Sequence, residues 1–315
     1  MDGIISGINE FINRMLLIWL IKPSADTCVG TIMMTIIKVN AAFLNLKSYA
    51  WIAYAVSAEK YTESTAEPEA MVQAALQHGL DGICFTDHID YDYPKEPELF
   101  LFDMDAYQKE LSELKEKYQN VLPICIGVEL GLQPQAAEYN RQLLQNRDLD
   151  FVIGSSHVVH GIDPYYPEYY EGKTEYEAYL EYFESILENI QAYDDFDVYG
   201  HIDYVVRYGP NKNADYSYRK YSDVIDEIFK QLISRGKGIE LNTAGLKYGL
   251  GHPHPTEDAL GRYRELGGEI LTIGSDGHKP EHLAFDFKKV PSFLQDAGFR
   301  YYTVFRGRKA EFVKL

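Results

Sequence analysis

From about residue 50 onward, short β-rich runs alternate with longer amphipathic stretches, and this rhythm restricts the chain to repeated β-α units around a mostly parallel sheet. Seven runs carry it: Trp51 to Val56, Gly82 to Thr86, Leu122 to Val128, Phe151 to Ser155, Val198 to Gly200, Gly238 to Leu241 and Ile270 to Ile273. Helical patterns lie between them, at Pro68 to His78, Met104 to Tyr118, Gln135 to Gln145, Tyr176 to Tyr193, Tyr218 to Ser234 and Thr256 to Leu266. In the first of these, Met71, Ala74, Leu76 and Leu80 supply much of an apolar face. A chain of 315 residues is long enough to close such units into one α/β barrel without a second domain.

Both ends depart from the rhythm. Residues 1 to 50 hold apolar positions such as Ile36, Ile37, Phe43 and Leu44 with no β-α period, and are read as an N-terminal extension to a domain spanning 51 to 315. Leu283 to Leu294 is partly helical in pattern, and Tyr301 to Phe305 with Glu311 to Val313 predicts a small hairpin around Gly307 that acts as a closing flap. The apolar stretch Met15 to Ile21 is too short to span a bilayer and lacks the surroundings of a signal peptide, so no membrane association is expected. Cys28, Cys84 and Cys125 are far apart and read as reduced thiols of a cytoplasmic protein. A formal charge of −18 argues against a nucleic-acid partner, which needs a basic stripe to neutralise phosphates.

In parallel α/β folds the chemistry collects at the carboxyl ends of the strands. Candidate ligands fall there repeatedly: the second run ends in Thr86-Asp87-His88, the third in Val128-Glu129, the fourth in Ser155-Ser156-His157, the fifth in Gly200-His201-Ile202-Asp203 and the seventh in Ser275-Asp276-Gly277-His278. One histidine after a strand means little, whereas five strands ending this way indicate a metal site built from His88, Glu129, His157, His201, Asp276 and His278. Imidazole mixed with carboxylate suits zinc, manganese or iron. These ligands exceed what one tetrahedral ion needs, so two or three divalent ions are expected. Clustered ions of this kind suit hydrolysis of a phosphate ester, and they offset the protein's negative field for a small phosphorylated substrate. Asp276 is either a bridging ligand or a proton-transfer group, and with His278 and His88 it forms the expected catalytic set.

Together the motifs TDH (86 to 88), GVE (127 to 129), SSH (155 to 157), GHID (200 to 203) and SDGH (275 to 278) resemble, in order and spacing, the polymerase and histidinol phosphatase (PHP) superfamily, and within it the histidinol-phosphatase type. The resemblance covers roughly residues 53 to 315 and implies a distorted (β/α)7 TIM-like barrel, a trinuclear metal site at the carboxyl ends of the strands, and hydrolysis of L-histidinol phosphate to L-histidinol and phosphate. It carries the metal ligands onto the same six residues and assigns Arg207, in YVVRYGP, to the substrate phosphate, a contact for which a guanidinium fork is well shaped. At the first strand the chain departs from the family. There the resemblance expects a His-x-His pair followed by an acidic or histidine ligand, but the matching positions hold Ala55 and Ser57, with Glu63 as the acidic ligand. A degenerate protein lacking one ion, an altered N-terminus and recruitment of another residue are three explanations for that departure. Two other functions stay open beside the leading one: a phosphoesterase for another small phosphate, and a non-catalytic metal-binding protein.

The remaining signals are weaker. His252 and His254 in GHPHP suit a substrate-loop or structural role, His160 and His282 read as supporting or surface groups, and His78 as a surface residue. The tyrosine cluster Tyr165, Tyr166, Tyr169, Tyr170, Tyr176 and Tyr179 follows the fourth run, and Tyr165 is the member expected to approach a small polar substrate. Asp194, Asp195 and Asp197 read as a solvated turn at the end opposite the site. No glycine-rich phosphate loop and no nucleophile elbow is present, so ATP, NAD and serine chemistry are not indicated.

Overall fold

The computed structural model describes residues 67–315 and, before them, the backbone of the strand Ile52–Val56. The 1–50 extension, Cys28, Ser57 and Glu63 lie outside the described residues.

Eight parallel strands form one curled sheet: β1 (Ile52–Val56), β2 (Gly82–Phe85), β3 (His88–Ile89), β4 (Ile124–Gly131), β5 (Phe151–Ser155), β6 (Val198–Tyr199), β7 (Gly238–Asn242) and β8 (Leu271–Gly277). The hydrogen-bonded order is β2-β1-β8-β7-β6-β5-β4-β3, and β2 also pairs with β4, which closes the ring. β2 and β3 are two pieces of one stave. Cys84 faces Cys125 and His88 faces Glu129 in the same register, with Thr86 and Asp87 linking the two pieces. The seven staves correspond to the seven runs of the sequence. Every residue of β2, β4, β5 and β7 is buried, as expected of strands covered on both faces.

The helices are α1 (Pro68–His78), α2 (Met104–Tyr118), α3 (Ala137–Leu144), α4 (Glu175–Ala192), α5 (Ser222–Ser234), α6 (Ala244–Lys247), α7 (Glu257–Glu265) and α8 (Val290–Asp296). Their ends follow local chemistry. α1 starts on Pro68, whose missing N–H costs nothing in a first turn, and stops at Gly79, which takes φ +70° and returns its N–H to Ala75 and Leu76. Asp103 caps α2 through the N–H groups of Asp105 and Ala106, and Thr174 with Glu177 forms a reciprocal capping box on α4. Among the described residues no helix is long and apolar enough to cross a membrane.

Two strands run further than the sequence pattern indicates. β4 continues to Gly131 and β8 to Gly277, so Glu129 and Asp276 belong to the strands themselves rather than to the loops that follow. Polar residues there lack the apolar signature that marks a strand.

The predicted hairpin is present as β9 (Tyr301–Arg306) and β10 (Lys309–Lys314), and it covers the amino-terminal end of the barrel. Its turn is held by Asp150, which precedes β5: Gly307 N–H donates to Asp150 Oδ1 at 3.1 Å and Arg308 N–H to the Asp150 carbonyl at 3.0 Å. Leu271 N–H, at the start of β8, donates to Thr303 Oγ1 at 3.1 Å, and Phe305 stacks on Phe151 at 5.1 Å between centroids. The flap is therefore a floor. Its Arg308 also corrects the reading of Asp197 as part of a solvated turn, whereas Asp194 and Asp195 are exposed. Asp197 is buried, lies 2.6 Å from Arg308 Nε and accepts the Val152 N–H, while Asp195 meets Arg308 Nη2 at 3.0 Å. A run of aspartates signals water by composition, and only the distant arginine reveals the anchor.

Candidate metal centre

His88 at the start of β3, Glu129 in β4, and His157 and His201 two residues past β5 and β6 converge at the carboxyl rim of the barrel. Glu129 Oε1 is 3.0 Å from His201 Nε2 and 3.3 Å from His157 Nε2, and those two imidazole nitrogens are 3.4 Å apart. A fifth donor joins them that the strand-end argument passed over. Asp90 bridges His88 and His157, its Oδ2 lying 2.7 Å from His88 Nδ1 and its Oδ1 2.8 Å from His157 Nδ1. The residues form two overlapping groups, His88 with Asp90 and His157, and Glu129 with His157 and His201, each with ligand atoms within 4.8 Å of one another.

Several local features bring these side chains together. β3 pairs with β4 so that His88 and Glu129 are direct partners, and Gly131 two residues later makes room for Asp90. A Cβ at Gly131 would stand 1.9 Å from Asp90 Oδ1, so no larger residue fits beside that carboxylate. Gly200 is similarly close, since its Cβ would meet Ser155 Oγ at 2.4 Å. β1 lies between β2 and β8, with Val56 opposite both Phe85 and Gly277, which delivers the end of the first strand to the same rim.

The electrostatics are those of a donor set. Burial alone would raise Glu129, but His157 and His201 outweigh it and hold the carboxyl well below its ordinary value. Asp90 is likewise penalised by burial and is nonetheless lowered, because His157 and His88 favour its charged form. Two carboxylates, three imidazoles and an unpartnered buried His201 Nδ1 in one small volume suit a divalent ion, which prefers mixed nitrogen and oxygen ligands.

Asp276 and His278 line the same cavity, of about 440 Å³, but stand outside the two ligand groups. Asp276 takes φ +47°, a left-handed conformation at a strand end, and turns Oδ2 toward Arg207 Nη1 at 2.7 Å while Oδ1 lies 3.4 Å from His278 Nδ1. Burial would raise Asp276, but the adjacent Arg207 and His278 charges hold it well below the carboxylate range. The His278 and His88 rings are 6.1 Å apart.

Arg207 is buried in the 3₁₀ turn Tyr204–Arg207 that follows β6. Its Nε donates to His254 Nε2 at 3.1 Å, and His254 Nδ1 in turn meets Asp203 Oδ1, which orients the imidazole. Burial pushes His254 down to about 4, so it stays neutral and accepts from the guanidinium. The second histidine of GHPHP thus supports Arg207 and has the structural role expected of it, whereas His252 lies nearby on a half-buried loop. Lys247, at the end of α6, also reaches the cavity and donates from Nζ to the Asp276 carbonyl at 2.8 Å. Nothing in its local sequence marked it.

Among the tyrosines, Tyr165 and Tyr166 line the cavity, while Tyr169 and Tyr179 are buried in the core and Tyr176 is exposed. His282 stands on the cavity rim, His160 is exposed between Glu181 and Glu188, and His78 is exposed at the end of α1.

A model of the PHP domain matches residues 57–244. A histidinol-phosphatase of Lactococcus lactis subsp. lactis is 30% identical over 249 residues, covering 78% of this chain and 90% of its own length. A Clostridium acetobutylicum protein named probable histidinol-phosphatase is 31% identical over 242 residues, covering 76% and 91%. Among solved structures, histidinol phosphate phosphatase from Lactococcus lactis, complexed with zinc, L-histidinol and phosphate, matches with a TM-score of 0.78 at 29% identity over 84% of this chain and 99% of that one. The shared motifs, the closed parallel barrel and the clustered ligands at its carboxyl rim agree with these likenesses, and the chain belongs to the PHP family, in its histidinol-phosphatase group.

Proposed function

We propose that this chain is a metal-dependent phosphomonoesterase that hydrolyses L-histidinol phosphate to L-histidinol and inorganic phosphate, a step of histidine biosynthesis. The observation that carries this reading is the convergence of five buried or half-buried ligand residues beside a buried arginine in one cavity. The names and bound ligands of the Lactococcus lactis relatives support the choice of substrate.

His88, Asp90, Glu129, His157 and His201 would hold the ions, with Asp276 and His278 completing the set and Glu63 as a further ligand from the first-strand region. When bound there, two or three divalent ions would supply Lewis acidity toward a phosphoryl oxygen and would acidify a water molecule. Arg207 binds a phosphate oxygen; its Nη2 has no hydrogen-bond partner among the described residues, and a planar guanidinium fixed at Nε and Nη1 presents that donor without reorganisation. Asp276, kept ionised by Arg207 and flanked by His278, would accept a proton at Oδ1 from the attacking water, with His88 holding the ligand cluster in place. Tyr165 lies over the substrate at the cavity mouth. Residues 51 to 315 carry the activity, 1 to 50 form an appended extension, and the buried thiols Cys84 and Cys125 support a cytoplasmic location.

The test is phosphate release by the metal-loaded chain across a panel of small phosphomonoesters. Turnover of histidinol phosphate well above that of generic esters is expected; equal rates would sink the assignment in favour of another small phosphate. Ala55 and Ser57 favour one second reading, a metal-binding protein without turnover, which predicts bound metal and no phosphate release from any ester.

A further inference from the structure

Four carboxylates line the cavity, and three are already matched by positive or protonatable partners. Asp90 and Glu129 bind histidines, and Asp276 binds Arg207. Asp163 is different. It is buried, yet its contacts are neutral: Tyr93 Oη–H donates to Oδ2 at 2.7 Å and Tyr165 N–H donates to Oδ1 at 2.7 Å. Among the described residues no lysine, arginine or histidine lies within ion-pair distance of it. Burial pushes its carboxyl above the ordinary range despite those two donors, the mark of a charge whose compensation is incomplete.

The surroundings of Asp163 are aromatic. Tyr165 meets Tyr166 and Tyr208 edge-on at 5.2 and 5.3 Å, Tyr208 meets Tyr204 at 5.1 Å, and Tyr204 packs against His157 at 5.5 Å, so a tyrosine wall runs from the mouth to the ligand cluster. One member of this wall already accepts a cation, since Lys95 Nζ sits 4.2 Å above the Tyr166 ring. Ring faces attract cations through their quadrupole, and a buried carboxylate beside them supplies the counter-charge. Arg207 and Lys247 are the basic groups beside Asp276, so a bound phosphate and a bound cation would be handled by different residues.

Resting on the phosphatase reading above, we infer that Asp163 and the tyrosines beside it form a cation subsite that selects phosphomonoesters bearing a protonated nitrogen, ammonium or imidazolium, in the organic part. Asp163 is then a specificity determinant that touches substrate but takes no part in breaking the phosphate ester. A staple role alone does not require a charge, since asparagine offers the same acceptor to the Tyr165 N–H and a polar partner to the Tyr93 hydroxyl.

The experiment compares the full metal-loaded chain with Asp163→Asn on histidinol phosphate and on phenyl phosphate, which has no cationic group. Removing one partner of a buried charge pair is costly, so kcat/KM for histidinol phosphate is expected to fall about thirtyfold or more, mainly through KM, with phenyl phosphate changed less than about twofold. Metal content by mass spectrometry should be unchanged. Two analogues, one lacking the amine and one with phenyl in place of imidazole, tested on the unaltered chain, identify which nitrogen is read and keep the inference testable if the variant fails to fold. Equal losses on both esters, or full activity on both analogues, would overturn the subsite. A native chain with no preference for histidinol phosphate would instead refute the phosphatase reading, a different result.

Discussion

Arg207 and Asp276 form a buried ion pair, Nη1 to Oδ2 at 2.7 Å, that ties the turn after β6 to the end of β8 across the cavity floor. The same guanidinium uses Nε on His254 and keeps Nη2 without a partner among the described residues, so its three nitrogens have three separate assignments. Lysine offers one point charge in place of this fork. Arg207→Lys is expected to lower kcat/KM roughly a hundredfold while leaving bound metal unchanged, as read by steady-state kinetics and metal analysis on the same preparation.

Asp90 holds two imidazoles at once, and its loss disorients both. Asp90→Asn should weaken metal retention about 10- to 100-fold, measured by titration with a competing chelator. Gly131→Ala should produce the same defect without replacing a ligand, because the added Cβ would stand 1.9 Å from Asp90 Oδ1. Normal retention in Gly131→Ala would show that Asp90 is not confined there.

At the barrel floor, Arg308→Met leaves the buried Asp197 carboxylate without its cation. A loss of about 2–4 kcal/mol in unfolding free energy is expected. The double variant with Asp197→Asn should recover part of it in the same denaturation assay, since the uncompensated charge is then gone.

Asp150 gives the acid limb of stability. Burial would raise its carboxyl, but Lys115 at 2.9 Å and the N–H groups of Ile126 and Gly307 outweigh that and hold it below its ordinary value. A carboxyl lowered in the folded state contributes stability that is present above the unfolded value, near about 3.9, and is lost as pH falls through the folded one. Thermal unfolding across acidic pH should therefore show a flatter acid limb for Asp150→Asn than for the native chain.

Restoring the first-strand pair tests the departure from the family. β1 ends between β2 and β8 at the metal rim. Ala55→His with Ser57→His is expected to add about one bound ion per chain and to raise kcat roughly tenfold or more, the scale on which an added Lewis acid acts. No change in either would count against placing the family's histidines at these two positions.

The barrel was legible because alternation of short apolar runs with helical faces survives without knowledge of contacts, and four ligands were legible because they follow those runs directly. Asp90 was not, since the residues after His88 carry no periodic signal and only the pairing of β3 with β4 brings them to the rim. Lys247 ends the one-turn helix α6 and Asp163 lies on a loop, and both become visible only when the segments after β7 and β5 fold over one cavity. Asp197 was misread for the converse reason: its partner Arg308 is far away along the chain, and composition registers only the acidic neighbours. Of the first-strand residues, Ser57 and Glu63 lie outside the described residues, and Ala55 is known there by its backbone alone.

The pairing of β1 with β8 has a consequence for the order of events during synthesis. The ring cannot close until Leu271–Gly277 has left the ribosome, and the floor made by Tyr301–Lys314 follows later still. Asp276 and His278 arrive with the closing strand, so a nascent chain displays His88, Glu129, His157 and His201 before their final frame exists. Metal loading of the complete centre thus waits for β8, and a chain truncated before β8 would carry ligands without an enclosure.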